Sequence, residues 1–254
     1  MGTPMQVVLE EDRHWWFATR TRAILAYLDM FVSTDHTTQA RWILDVGSGA
    51  GNMAHHLSHY GRYVGVDVNP KPLRVARARG WPVHLGSATH LPYASATFDV
   101  VALLDTVEHI EDDHAVFAEC HRVLKPGGKL IVTVPAFMFL WSKNDVLNRH
   151  QRRYTRPQLV TRLEAHGFRV LRSSYNNFFI FPLAAAVILA RRGRFEPDLA
   201  SPHFDDEAYQ VEMEPTPAPL NALLSGVGRF EAAFLRRFAF PWGTGIIAIA
   251  EKRG

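Results

Sequence analysis

The 254-residue chain carries 28 Lys and Arg against 25 Asp and Glu, a net charge of +3, with 47% apolar and 21% charged residues. That length suits one sizeable domain with its own core, and the composition excludes a disordered chain or a disulfide scaffold. The basic residues are scattered, which disfavours nucleic acid as a partner, and the lone Cys120 points to a reducing, cytoplasmic setting.

The first helical periodicity runs from Arg13 to Phe31, where Trp16, Ile24, Leu25 and Leu28 share one face, and it predicts a helical cap over residues 1–40. Runs rich in Val, Ile and Leu follow at Trp42–Val46, Tyr63–Val66, Pro82–Leu85, Asp99–Leu104 and Lys129–Val134, alternating with helical patterns. Strands separated by helices predict a parallel sheet covered on both faces. A polar loop over 136–155 leads to a helix at Arg156–His166, closed by Gly167, and to a strand at Phe168–Ser173. The last strand is Gly245–Glu251, so 176–243 reads as an insertion on a core of 41–175, with 244–254 completing a single domain.

Met1–Arg13 lacks the apolar core of a secretion signal. The longest apolar run, Phe178–Ala190, contains Pro182 and is too short to span a bilayer. It is followed by Arg191, Arg192 and Arg194, so 178–194 is expected to line a pocket, form a dimer face or rest peripherally on an anionic membrane. Residues 195–219, rich in Pro and acids, read as a linker or lid, and Asn221–Phe238 as an amphipathic helix.

The chemistry concentrates at Ile43-Leu44-Asp45-Val46-Gly47-Ser48-Gly49-Ala50-Gly51, a strand entering a glycine-rich turn ahead of a predicted helix over 52–60. Glycines allow a nucleotide to approach the backbone, and the helix start favours a carboxylate. Asn52 makes the spacing G-x-G-x-G, which disfavours a nicotinamide dinucleotide. Asp67 ends the next strand, where a carboxylate accepts from both ribose hydroxyls. Downstream come Leu91-Pro92, Phe98-Asp99-Val100-Val101, Glu108-His109-Ile110 and Arg122-Val123-Leu124-Lys125-Pro126-Gly127-Gly128.

In these motifs and their order the chain resembles the class I methyltransferases that use S-adenosylmethionine. The resemblance implies a doubly wound α/β fold with a seven-stranded, mostly parallel sheet ordered 3-2-1-4-5-7-6 and strand 7 antiparallel. It also implies S-adenosylmethionine as cofactor and S-adenosylhomocysteine as product. Carried over, Asp45 orients the methionine amine, Gly47, Ser48, Gly49 and Gly51 flank the cofactor, and Asp67 with Val68 holds the ribose side. Ser87, Ala88 and Thr89 contact adenine, with Ser87 standing where the family usually has Asp. Asp105, Thr106 and Val107 pass the methionine end, and Arg20 pairs with its carboxylate.

His109, His150 and Tyr154 are the candidate catalytic groups, with Asp145 and Arg153 beside them as acceptor-site candidates. Asp105, Asp112 and Asp113 lie near the same edge and read as surface acids at a helix start, and no metal is expected. The acceptor is expected to be a small molecule, lipophilic or lipid-linked where the apolar insertion overhangs the site. Three other readings stay open: a non-catalytic binder of S-adenosylmethionine or S-adenosylhomocysteine, a nucleotide-binding regulatory module, and a methyltransferase acting on a macromolecule.

Overall fold

The computed structural model describes residues 13–32, 34, 40–191 and 216–253. Helix α1 (Trp15–Phe31) is capped by His14, whose ring accepts from the Trp16 amide at 3.3 Å. The chain then alternates through β1 (Trp42–Val46), a short α2 (Ala54–Leu57), β2 (Arg62–Asp67), α3 (Pro70–Ala78), β3 (Val83–Leu85), β4 (Phe98–Leu104), α4 (Asp113–Val123) and β5 (Leu124–Pro135). It continues with α5 (Lys143–Leu147), α6 (Arg156–Ala165), β6 (Phe168–Asn176), α7 (Phe181–Arg191), α8 (Ala218–Leu235) and β7 (Gly245–Lys252).

The strands form one seven-stranded sheet ordered β3-β2-β1-β4-β5-β7-β6, in which β7 runs antiparallel to both neighbours. Side chains alternate across a strand, so each central strand feeds two cores. Leu44 and Val46 of β1 join Leu130, Val132, Ile246 and Ala248 on one face, where Phe117 of α4 and Leu159 and Leu163 of α6 cover them. Ile43 joins Ile131, Ile247 and Ile249 on the other face, under Ile24, Tyr27 and Leu28 of α1, Leu57 of α2 and Leu73 of α3. Continuous apolar runs are what a sheet buried on both sides requires.

Two elements differ from expectation. The predicted helix over 52–60 shrinks to α2, because Gly49 and Gly51 sit at φ +52° and +75° and hold the chain in turns where a helix would begin. The predicted polar loop over 136–155 contains a 3-10 turn at Met138–Leu140 and then α5, which begins with a Ser142/Asp145 capping box.

The insertion's α8 lies along α1 at close range. A Cβ on Gly228 would stand 2.0 Å from Thr19 Oγ1, so this crossing needs glycine. The Trp15 amide donates to Asn221 Oδ1 at 2.8 Å, and Asn221 Nδ2 donates to the Arg13 carbonyl at 2.9 Å. Buried Glu231 accepts from the amides of Asn177 and Phe179, which fixes the path of the chain leaving β6. The acidic linker expected over 195–219 lies largely at 192–215, outside the described residues. No helix among the described residues is long and apolar enough to cross a membrane.

Asp113 is not a surface acid but is 1% exposed, tied to the Tyr154 hydroxyl at 2.8 Å, to Arg152 at 3.0 Å and to Arg162. It braces α4 against the segment entering α6, while Asp112 caps α4 by accepting from the Ala115 amide at 3.0 Å. Tyr154→Phe removes one of these donors and is expected to lower the unfolding free energy by about 1–2 kcal/mol, with the two arginines still neutralising the carboxylate. A urea midpoint equal to that of the parent would overturn this bracing role.

Candidate active site

Strands β1, β2, β4, β5 and β6 run parallel, so their carboxyl ends share one edge. In open α/β sheets that edge holds the ligand crevice. Asp105 and Asn177 follow β4 and β6 directly and Phe137 lies two residues past β5, at φ 49°, 61° and 58°. Left-handed backbone at non-glycine residues costs on the order of 1 kcal/mol or more and collects at functional sites. A recess of about 260 Å³, lined by Arg41, Asp99, Lys125 and Lys129 among others, opens instead at the opposite edge, where β1 and β4 begin.

The glycine-rich loop leaves β1 at this carboxyl edge. Gly47 sits at φ +77°, and a Cβ there would meet the Thr106 side chain at 2.4 Å, so loop and β4 exit touch at the glycine. The Gly47 and Ser48 amides donate to the Val66 carbonyl at 2.8 and 3.1 Å. The Gly49 amide donates to Asp67 Oδ2 at 2.9 Å, and nothing else lies within 4 Å of the position a Gly49 Cβ would take. Arg79 clamps the outer side of the loop, donating to the Ala50 carbonyl at 2.9 Å and Asn52 Oδ1 at 2.7 Å.

Asp45 is buried behind the loop and accepts from the Tyr63 hydroxyl at 3.1 Å. Burial pushes its carboxyl up to about 7, against the opposing effects of the Tyr63 hydrogen bond and of Arg20. Asp67 Oδ1 accepts from the Asn69 amide at 2.8 Å. Val68, beside it, is 72% exposed, an apolar surface next to the carboxylate. Ser87 and Thr89 pair their hydroxyls at 2.8 Å, and Ala88 packs on the core.

At the β4 exit, Arg20 of α1 donates to Asp105 Oδ2 at 2.5 Å, bringing the N-terminal helix to the cleft. Arg20 Nε and Ser48 Oγ are buried without hydrogen-bond partners. Thr106 Oγ1 donates to the Val46 and Leu104 carbonyls, both at 3.1 Å. Val107 is wholly buried in the core, so its side chain is structural and does not reach the cleft as expected.

His109 and His150 come together, with ring centroids 4.6 Å apart and nearly perpendicular. The surrounding protein, and then the His150 ring, hold the His109 pKa below the usual imidazole value. His150 Nδ1 lies 2.9 Å from Asp145 Oδ1. Asp145 is fully buried and also receives Arg153 Nε at 2.7 Å and Nη2 at 2.9 Å. Tyr154, expected beside them, is 2% exposed and bonded to Asp113, so it belongs to the core and not to a catalytic group.

Glu108, Tyr63 and Arg79 had no expected role. Glu108 lies inside the Glu108-His109-Ile110 motif, yet its complete burial has no signature in spacing. Tyr63 reads as a strand residue and nothing in the sequence singles out Arg79, and only the folded chain shows them holding Asp45 and the glycine loop.

Residues 44–132, from β1 through most of β5, match the family model described as a methyltransferase domain. This segment is a class I methyltransferase domain. The chain is 33% identical over 140 residues to a protein of Mycolicibacterium smegmatis named a probable S-adenosylmethionine-dependent methyltransferase, covering 53% of this chain and 54% of that one. It is 30% identical over 135 residues to the ubiquinone biosynthesis O-methyltransferase of Xanthomonas oryzae pv. oryzae, covering 47% and 55%. It therefore spans about half the length of these curated relatives.

Among solved structures, an S-adenosylmethionine dependent methyltransferase from Mesorhizobium loti superposes with a TM-score of 0.53 at 17% identity, over 89% of this chain and 98% of that one. The [4+2]-cyclase SpnF superposes at 0.57 and 22% identity, over 92% and 81%. Likeness at that identity concerns the methyltransferase fold alone, since one fold hosts several chemistries.

The raised Asp45 carboxyl of the methyltransferase domain has a consequence for stability. The folded chain keeps this proton to about pH 7, whereas the unfolded chain releases it near the ordinary Asp value of about 4. The folded state thus binds more protons between those values, and this contribution to stability is lost as pH rises from about 4 to about 7. Asp45→Asn is expected to be more stable than the parent at pH 8, by a few kcal/mol at most, and to converge with it near pH 4. Urea midpoints that shift equally at both pH values would refute the assignment.

Proposed function

We propose that the chain transfers the methyl group of S-adenosylmethionine to a small, lipophilic acceptor held at the carboxyl edge of the sheet. The observation that carries this reading is the glycine loop bonded to Asp67 through the Gly49 amide, with open space in front of Gly49. The donor set fits the cofactor. Asp67 keeps lone pairs for the ribose hydroxyls beyond the two amides it already accepts, and exposed Val68 offers a flat apolar contact to adenine. Arg20 Nε suits the methionine carboxylate, and Asp45, behind the loop, suits the amino group.

Bound S-adenosylmethionine supplies an electrophilic methyl carbon. The chain's residues position the acceptor, exclude water and take a proton where the nucleophile carries one. His109, whose pKa burial holds below the usual imidazole value, accepts that proton, and His150, oriented by Asp145, stands beside it. A lipophilic acceptor is supported by the apolar surface on this side. Met138 and Phe139 follow β5, and Phe179, Leu183 and Val187 lie on and before α7, all substantially exposed. Phe137 stacks between Phe139 and Tyr175 at 5.1 and 4.9 Å, forming an aromatic floor. Leu183, Val187 and Leu189 also suit a peripheral membrane contact through which such an acceptor is delivered. The ubiquinone biosynthesis O-methyltransferase relatives support a small-molecule acceptor.

Isothermal titration tests the cofactor. S-adenosylmethionine and S-adenosylhomocysteine are expected to bind at micromolar affinity, and Asp67→Ala to weaken both at least about tenfold, or about 1.4 kcal/mol. No heat with either ligand would remove the proposal.

A further inference from the structure

Glu108 poses a problem that the methyl-transfer reading leaves unsolved. Its side chain is wholly buried, and neither carboxylate oxygen has a hydrogen-bond partner. A buried carboxylate in that condition is costly unless it is neutralised or holds a cation. The nearby charges do not resolve it. Asp105 repels it, while Arg20 and Arg153 spend hydrogen bonds on Asp105 and Asp145.

The neighbouring side chains supply a different answer. Ligand atoms of Glu108, His109 and His150 lie within 4.8 Å of one another. Glu108 and His109 sit on the 3-10 turn Val107–His109, and the loop carrying His150 is stitched to that turn by the Gln151 amide, which donates to the Glu108 carbonyl at 2.7 Å. Two imidazoles and a carboxylate form a donor set for divalent first-row transition ions, with positions left open for other oxygens.

The surroundings are those of a supported ligand. His150 Nδ1 is occupied by Asp145, which directs Nε2 outward as the metal-binding nitrogen, the carboxylate–histidine pairing found behind many metal ligands. Asp145 is itself fixed by Arg153 and by the Ser142 amide and hydroxyl at 2.7 and 3.0 Å.

We propose that Glu108, His109 and His150 bind one divalent transition-metal ion, of the Zn²⁺, Mn²⁺ or Co²⁺ class, beside the β4 exit. That an open coordination position would receive an acceptor oxygen rests on the methyltransferase reading, and with the ion bound His109 serves as a ligand in place of its role as proton acceptor; the binding of the ion does not rest on that reading.

The test uses the full, tag-free chain, stripped with a chelator and titrated with Co²⁺ alone, read by visible d–d absorption and by heat. One equivalent is expected to bind with a new visible band. Glu108→Gln and His150→Ala are each expected to weaken it about tenfold or more. Thermal unfolding monitors the fold of each variant, and His150→Ala carries the test if Glu108→Gln fails to fold. The paired rings of His55 and His56, 3.8 Å apart, are the competing adventitious site, and His55→Ala/His56→Ala is expected to leave the band intact. Absence of a stoichiometric site, or a band removed only by the His55/His56 variant, overturns the proposal. S-adenosylhomocysteine titration of the stripped chain, run in parallel, separates this failure from failure of the methyltransferase reading.

Discussion

The hydrogen bond from the Gly49 amide to the Asp67 carboxylate at 2.9 Å, beside those from the Gly47 and Ser48 amides to the Val66 carbonyl, couples the exits of β1 and β2, and the cleft is organised around it. Each partner arrives at the carboxyl edge because β1 and β2 are parallel and in register, with Val46 opposite Val66. The loop can take the required path only where a side chain is missing, since Gly47 presses against Thr106. Thr106 in turn donates to the end of β1, so the exits of β1, β2 and β4 form one interlocked unit.

Charge at this edge is balanced across long stretches of chain. Asp45, Asp67, Asp105 and Glu108 all come from the sheet or its exits, a concentration of carboxyl groups that would repel one another if left alone. The N-terminal helix contributes Arg20 to Asp105 from 85 positions away, while Arg153 and Asp145 pair within the segment after β5. Two of the acids, Asp45 and Glu108, are instead buried, and their carboxyls are raised chiefly by desolvation. Burying such groups in their ionised form is unfavourable for stability.

The helices outside the methyltransferase core act as one support. Helix α1 and insertion helix α8 cross at Gly228, Asn221 ties their ends, and Glu231 captures the chain leaving β6. Of the left-handed residues at the strand exits, Asp105 is thereby held by Arg20 of α1 and Asn177 by Glu231 of α8. Strain of that kind persists only where the surroundings over-determine it.

Much of this was legible without a structure, for local reasons. A strand buried on both faces needs an unbroken apolar run, so β1, β4, β5 and β7 are evident from composition, and Gly47 to Gly51 with Asp67 identify the loop by turn chemistry and strand length. The sequence therefore determined the sheet, the glycine loop and the class of cofactor it implies. Folding alone decided the rest. Arg20 meets Asp105 across 85 positions, Tyr154 turns inward to Asp113 across 41, and His109 meets His150 beside the orphaned Glu108. Burial and pairing of this kind depend on which helices cover the strand exits, a property of packing that no local pattern of residues encodes.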